Sequence, residues 1–191
     1  MFFGTPPFAA RCLEALLEGP HPVVAVVTRP DRPAGRGLRE QPSAVKQLAV
    51  ARSLPVLQPA SAKGPELRDA IASYAPDLGV VAAYGRILPA EVLEAVPLGF
   101  INAHASLLPA LRGAAPIERA ILEGYRETGV TIMQMNERMD AGDILTARAV
   151  PIDDDTNRDA LTARLAEVAA ELLPQAIDAI ARGEATRAPQ D

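Results

Sequence analysis

Apolar and polar positions along the chain follow two periods in alternation. Residues 23–28 (Val-Val-Ala-Val-Val-Thr), 54–57, 78–83 and 99–103 are short apolar runs, the pattern of strands covered on both faces. Phe2-Phe3 read as the last residues of a further strand. Between them lie segments with helical spacing. Residues 7–18 place Phe8, Ala9, Cys12, Leu13, Leu16 and Leu17 on one face. Residues 44–52 follow Ser43, a natural N-cap, and 64–74, 115–123 and 157–182 complete the helices. Residues 128–135 alternate enough to form a strand, and 144–152 are expected to pair with them as a hairpin. Strands alternating with helices predict an α/β fold: a doubly wound, mostly parallel, Rossmann-like sheet with an antiparallel hairpin near its C-terminal part. Such sheets bind ligands outside the carboxyl ends of their strands, near the point where strand order reverses.

The segment 29–43 breaks this rhythm. It is rich in proline and glycine and long for a connection, which favours a functional role. From 29 to 46 it carries five cations (Arg29, Arg32, Arg36, Arg39, Lys46) against two anions (Asp31, Glu40). The chain as a whole has a net charge of −5, so any attraction for a phosphate backbone must be local to this patch.

Composition narrows the class further. The 191 residues, 49% hydrophobic and 23% charged, suit one globular domain spanning 1–191. No apolar run reaches the roughly 20 residues a membrane span needs, so no membrane partner is expected. The start lacks the basic region and apolar stretch of a secretory signal, and the one cysteine, Cys12, excludes an internal disulfide. Both fit a cytoplasmic protein. With only His21, His104 and Cys12 as soft ligands, a structural zinc cluster cannot be assembled. The run Asp153-Asp154-Asp155 lacks calcium-loop spacing and is expected to supply the N-cap and dipole-complementary charge of the last helix.

Candidate chemistry centres on Asn102-Ala103-His104. On a strand these two side chains project from one face, placing an amide donor beside an imidazole. The pair could stabilise a developing oxyanion and manage a proton near neutrality. By itself Asn-x-His is weak, because isolated histidines are mostly structural. The signal gains from Ser106-Leu107-Leu108-Pro109 and the turn Arg112-Gly113-Ala114-Ala115-Pro116 directly after. A second feature is Met139-Asp140-Ala141-Gly142-Asp143, whose carboxylates could cap a turn, bind a cation or orient a histidine. The chain has no Gly-x-Ser-x-Gly elbow, no phosphate loop ending in Gly-Lys, and no complete dinucleotide fingerprint after a strand.

These motifs resemble, over nearly the whole chain, the formyltransferases that use 10-formyltetrahydrofolate. The matching segments are Phe3-Gly4-Thr5-Pro6-x-Phe8-Ala9, the 29–37 loop Arg-Pro-Asp-Arg-Pro-Ala-Gly-Arg-Gly, and 81–89, Val-Ala-Ala-Tyr-Gly-Arg-Ile-Leu-Pro. To these add 101–109, 112–117, 128–135 and Asp140-Ala141-Gly142-Asp143. The 29–37 loop and Arg112-Gly113-Ala114-Ala115-Pro116-Ile117 are similar to the branch that formylates methionine on initiator tRNA. The resemblance implies that Asn102, His104 and Asp140 are catalytic, with Asp140 orienting His104. It implies a folate pocket at Arg86, Ile87, Leu88, Ser106, Leu107, Leu108, Pro109, Asn136 and Glu137, and a tRNA grip at Arg32, Arg36 and Arg39. The partners implied are initiator methionyl-tRNA and the folate co-substrate, with no metal, and a monomer is expected.

The chain departs from the family at Ala110-Leu111, where a basic-aromatic pair is usual, and at Leu38-Arg39-Glu40, where a lysine-rich stretch often stands. The family continues into a C-terminal β-barrel that helps bind tRNA, and it begins with more residues of the first strand, so this chain is expected to be an incomplete form. Two other assignments stay open: a formyltransferase acting on a small amine (an amino sugar nucleotide or glycinamide ribonucleotide), and a non-catalytic folate- or RNA-binding module.

Overall fold

The computed structural model describes residues 1–34 and 39–191. In chain order the first elements are β1 (Phe2–Gly4), α1 (Pro7–Leu17), β2 (Val26–Val27), β3 (Arg32–Ala34), β4 (Arg39–Gln41), α2 (Ala44–Ala51) and β5 (Val56–Leu57). Then come α3 (Pro65–Tyr74), β6 (Gly79–Ala82), α4 (Ala90–Leu93), β7 (Phe100–His104), α5 (Pro116–Leu122), β8 (Glu127–Gln134), β9 (Ile144–Pro151) and α6 (Arg158–Ala181).

Seven strands form one sheet in the order β5-β2-β1-β6-β7-β8-β9. The first five are parallel; β8 runs antiparallel to β7, and β9 to β8. Strand order reverses between β1 and β6, with Phe2 opposite both Val26 and Val80. This is the doubly wound α/β sheet with a C-terminal antiparallel hairpin that the hydrophobic pattern predicts.

Alternation along each strand sends neighbours to opposite faces. Phe2, Val26, Val80, Ala82, Ile101 and Ala103 pack with α1, α2, α5 and α6. Phe3, Val27, Val81 and Phe100 pack with α3 and α4. Each large side chain so buried contributes about 1.5–3 kcal/mol. On the second face Phe3 meets the edges of Tyr84 and Phe100 at centroid distances of 5.6 and 5.3 Å. The helix α1 starts at once after β1, with proline in its first turn, where a missing N–H costs nothing. That close entry requires Gly4: a Cβ there would lie 2.6 Å from the Ala9 Cβ and 2.9 Å from the Ala82 oxygen.

Several boundaries differ from the sequence expectation. The strands at 23–28 and 54–57 narrow to Val26–Val27 and Val56–Leu57, because the ladder from β1 through β2 to β5 joins only these residues. Val23, Val24 and Leu54 pack against the core without extending the strands. The segment 29–43, expected to be a loop, contains the antiparallel ribbon β3–β4, with Arg32 opposite Gln41. Its three prolines, Pro30, Pro33 and Pro42, obscured the pairing pattern, although a proline is compatible with a two-stranded edge. Asp153-Asp154-Asp155 does not cap α6. Asn157 does, accepting from Ala160 N at 2.9 Å, while Asp154 pairs with Arg126 and Asp153 with Arg164. No helix among the described residues is long and apolar enough to cross a membrane.

Candidate active site

On β7 the face that buries Phe100 continues as Asn102 and His104, at the carboxyl end of the strand. Phe100 is sealed by the α3–α4 layer, but one and two strides further on the strand passes beyond these helices. There the polar side chains are covered by loops. Asn102 is 9% and His104 6% exposed, so each needs polar partners. The loop between β8 and β9 supplies one. Asp140 sits within it in a left-handed backbone conformation, φ +48°, which aspartate tolerates better than most residues.

The three side chains converge. The Asn102 amide Nδ2 donates to Asp140 Oδ1 at 3.4 Å, and Asp140 Oδ2 lies 3.6 Å from His104 Nδ1. Asp140 Oδ2 also accepts from the Gly113 backbone N–H at 2.9 Å. The other imidazole nitrogen, Nε2, faces the Leu111 carbonyl oxygen at 3.0 Å. A carbonyl only accepts, so Nε2 carries a proton, and Nδ1 is the nitrogen that meets Asp140. The sequence reading missed Leu111: its contribution is a backbone oxygen presented by a φ +57° turn, and no residue type announces that.

The loop after His104 is held from below. Thr131, directly opposite His104 in the register and fully buried, donates through its hydroxyl to Ser106 O at 2.7 Å. The same hydroxyl accepts from Leu108 N at 3.1 Å. Ser106 Oγ closes the turn on Ala110 O at 2.6 Å, and the Leu108–Pro109 peptide is cis. The hairpin loop is equally constrained. At Gly142 a Cβ would collide with the Gln134 carbonyl oxygen, so the two arms of the loop pass backbone against backbone.

The residues expected to shape a pocket are spread around this centre. Leu88 is buried in the same cluster as Phe100, with Met135 packed against it, whereas Ile87 is 70% exposed. The Arg86 guanidinium turns to the Pro59 carbonyl at 2.8 Å. The hydroxyl of Ser106 is already used on Ala110 O within the loop and the N–H of Leu108 on the Thr131 hydroxyl of β8, which leaves the apolar Leu107 and the exposed Pro109 as the outer surface of the loop. Asn136 and Glu137 are exposed at the hairpin loop, where the Asn136 Oδ1 accepts from Arg138 N at 2.9 Å. Arg32 is exposed on the ribbon; Arg36 lies outside the described residues, as does the side chain of Arg39. The ribbon is tied down at its base by Asp31, which binds Lys46 Nζ at 2.5 Å and Gln58 Nε2 at 2.7 Å. These two hydrogen bonds, from Lys46 and then Gln58, hold the Asp31 carboxyl below the usual carboxylate range. Lys46 and Asp31 thus cancel, leaving the excess of three positive charges across 29–46 unchanged.

An apolar cavity of about 410 Å³ lies elsewhere, at the amino ends of the strands, lined by Met1, Val24, Leu78 and Leu98 among others. It shares no residue with the cluster at Asn102, His104 and Asp140. Among the described residues no group of three or more His, Cys, Asp or Glu is placed to hold a metal ion.

Comparison with known proteins adds three findings. The family model described as formyl transferase matches residues 1–177. Methionyl-tRNA formyltransferase of Methylococcus capsulatus is 52% identical over 191 residues, all of this chain and 62% of that protein. The protein of the same name from Symbiobacterium thermophilum is 53% identical over 190 residues, 58% of its length. The chain therefore spans about three fifths of the length of these relatives. Among solved structures, phosphoribosylglycinamide formyltransferase from Bacillus halodurans superposes with a TM-score of 0.76 at 26% identity, covering 91% of this chain and 90% of that one. Glycinamide ribonucleotide transformylase 1 from Symbiobacterium toebii gives 0.80 at 22% identity, covering 100% and 92%, and shows the common fold.

Proposed function

The chain belongs to the formyl transferase family, and from that premise we propose that it moves a formyl group from 10-formyltetrahydrofolate to the α-amino group of methionine on initiator tRNA. The observation that carries this reading is the convergence of Asn102, His104 and Asp140 at the carboxyl end of β7. The relatives about half identical over the full chain, both named methionyl-tRNA formyltransferase, supply the acceptor.

In this reading the amine lone pair attacks the formyl carbon, the carbonyl electrons move onto oxygen, and the bond from carbon to folate N10 then breaks. Asn102 Nδ2 has one N–H engaged by Asp140 and a second to offer to the oxygen as it becomes negative. The proton lost by the amine and the proton gained by N10 pass through His104 Nδ1, whose ring the Leu111 carbonyl and Asp140 hold in place. Folate would lie against Arg86, Ile87 and Leu88, along 106–109, and beside Asn136 and Glu137; the exposed apolar surfaces of Ile87 and Met139 suit a flat ring. The basic segment 29–46, with Arg32, Arg36 and Arg39, would meet tRNA phosphates, and residues 1–191 would form the catalytic domain.

The test is to incubate the protein with 10-formyltetrahydrofolate and charged initiator tRNA, beside glycinamide ribonucleotide and an amino sugar nucleotide. Formyl transfer to the methionyl-tRNA, reduced roughly 10²–10³-fold or more in His104→Ala, is expected. Transfer to a small amine alone would replace the acceptor, and unchanged turnover in the variant would remove His104 from the chemistry.

A further inference from the structure

Among the described residues, Gln190 is the one side chain near the cluster that binds both site loops from behind. It arrives there because Ala188 forms a two-way bridge with Ile144 at the start of β9, with N–O distances of 2.7 and 2.9 Å. Its amide nitrogen Nε2 donates to the carbonyl oxygens of Asp140 at 3.1 Å and Gly142 at 2.7 Å. Its amide oxygen Oε1 accepts from Arg112 Nε at 3.0 Å and Arg112 Nη2 at 2.6 Å. The orientation of the amide is unambiguous, since carbonyls require a donor and a guanidinium requires an acceptor.

Two loops meet at the cluster. One, 105–115, ends in Leu111, Arg112 and Gly113; the other, 135–143, carries Asp140. At the front they are joined by the Asp140 carboxylate on the Gly113 N–H. At the back they are joined through Gln190. The Asp140 carbonyl and carboxylate belong to one residue in a left-handed conformation, so fixing the first constrains where the second can point. Arg112 is flanked by Leu111, whose oxygen holds His104, and its own carbonyl accepts from Arg119 Nη1 at 3.1 Å.

We propose that Gln190 is a positioning residue for formyl transfer, clamping the Asp140 loop to Arg112 so that the Asp140 carboxylate stays registered on His104 and Asn102. The proposal rests on the function given above. Only glutamine serves both partners at this reach: glutamate would still accept from Arg112 but would set a carboxylate oxygen against two carbonyl oxygens, and asparagine is one methylene too short.

The experiment compares Gln190→Glu and Gln190→Ala with the parent protein, each also in an Asp140→Asn background. Both single variants are expected to lose roughly tenfold in kcat, the scale of losing a pair of neutral hydrogen bonds that orient a reacting group, with KM for methionyl-tRNA little changed. In the Asp140→Asn background the same substitutions should cost almost nothing further, because Gln190 acts through that carboxylate. Amide exchange across 136–143, which needs no turnover, should quicken in both variants. Unchanged kcat in both, an equal loss in the Asp140→Asn background, or unaltered exchange in that loop would each overturn the proposal. If the parent transfers no formyl group, the function has failed instead, and the exchange measurement still judges the clamp.

Discussion

His104, the last residue of β7, donates from Nε2 to the Leu111 carbonyl oxygen 3.0 Å away, seven residues downstream in the loop that follows. One hydrogen bond thereby fixes both the tautomer and the tilt of the ring, and it turns Nδ1 towards Asp140 Oδ2 at 3.6 Å. The nitrogen that works on protons is then chosen by the loop backbone, and the carboxylate is chosen by the hairpin. Two separately folded segments meet on one imidazole.

Asp140→Asn isolates the charge from the backbone. Asparagine tolerates the φ +48° conformation, so the hairpin loop should keep its backbone shape. Its single acceptor oxygen can serve the Gly113 N–H or the Asn102 amide and not both, so the melting temperature should fall slightly. The carboxylate behind the imidazole is lost, and kcat should fall by roughly 10²-fold or more. Asp140→Ala removes the same group and adds backbone strain, so it should lose thermal stability as well. An active Asp140→Asn enzyme would reduce Asp140 to a turn residue.

Thr131→Val tests the support beneath the His104 loop. The variant keeps the volume and removes the hydroxyl shared by Ser106 O and Leu108 N, leaving two buried backbone groups without partners. The cost expected is about 1–3 kcal/mol. For a chain of this size that lowers the melting temperature by several degrees, at roughly 2–4 °C per kcal/mol. An unchanged thermal transition would show that the loop holds itself.

Cys12 offers a test of the core. It lies fully buried in α1 among the side chains that face α6, and burial pushes its thiol up to about 12. At pH 8 the thiolate, which is the reactive form, is therefore negligible in the folded protein. Iodoacetamide should leave Cys12 unmodified in buffer and alkylate it fully in guanidinium chloride. Rapid labelling of the folded protein would mean that α1 opens on the time scale of the reaction.

How far the sequence discloses this site depends on the kind of contact. Asn102 and His104 were legible because β7 alternates and their shared face follows from period two alone. The doubly wound, mostly parallel sheet was legible in another way, from apolar runs such as 78–83 and 99–103 alternating with segments of helical spacing. Asp140 was reached through resemblance: nothing in the periodicity of 136–143 says that a loop threaded past Gly142 turns its carboxylate back onto β7. Leu111 and Gln190 had no signal. One acts through a backbone oxygen, and the other is brought from the far end of the chain by a single bridge at Ala188. The ribbon within 29–43 was hidden because Pro30, Pro33 and the glycines read as a loop, and α4 because four residues give no helical period.

The ribbon also carries the prediction that separates binding from chemistry. Arg32 is exposed on β3, held out by a base that Asp31, Lys46 and Gln58 pin to the sheet. If it neutralises a tRNA phosphate, Arg32→Ala should raise KM for methionyl-tRNA, leave binding of 5-formyltetrahydrofolate unchanged, and lower the slope of log K against log salt by about one unit. The pinning adds a pH signature. Asp31, with its carboxyl lowered by Lys46 and Gln58, stabilises the ribbon at any pH above its ordinary titration range, and this is lost as pH falls through its depressed folded value. Lys46→Ala should raise that value, so the Arg32-dependent part of tRNA binding should fade at a higher pH than in the parent. Binding titrations at two salt concentrations and three acidic pH values check both statements. A salt slope unaffected by Arg32→Ala would move the tRNA grip off the exposed part of the ribbon.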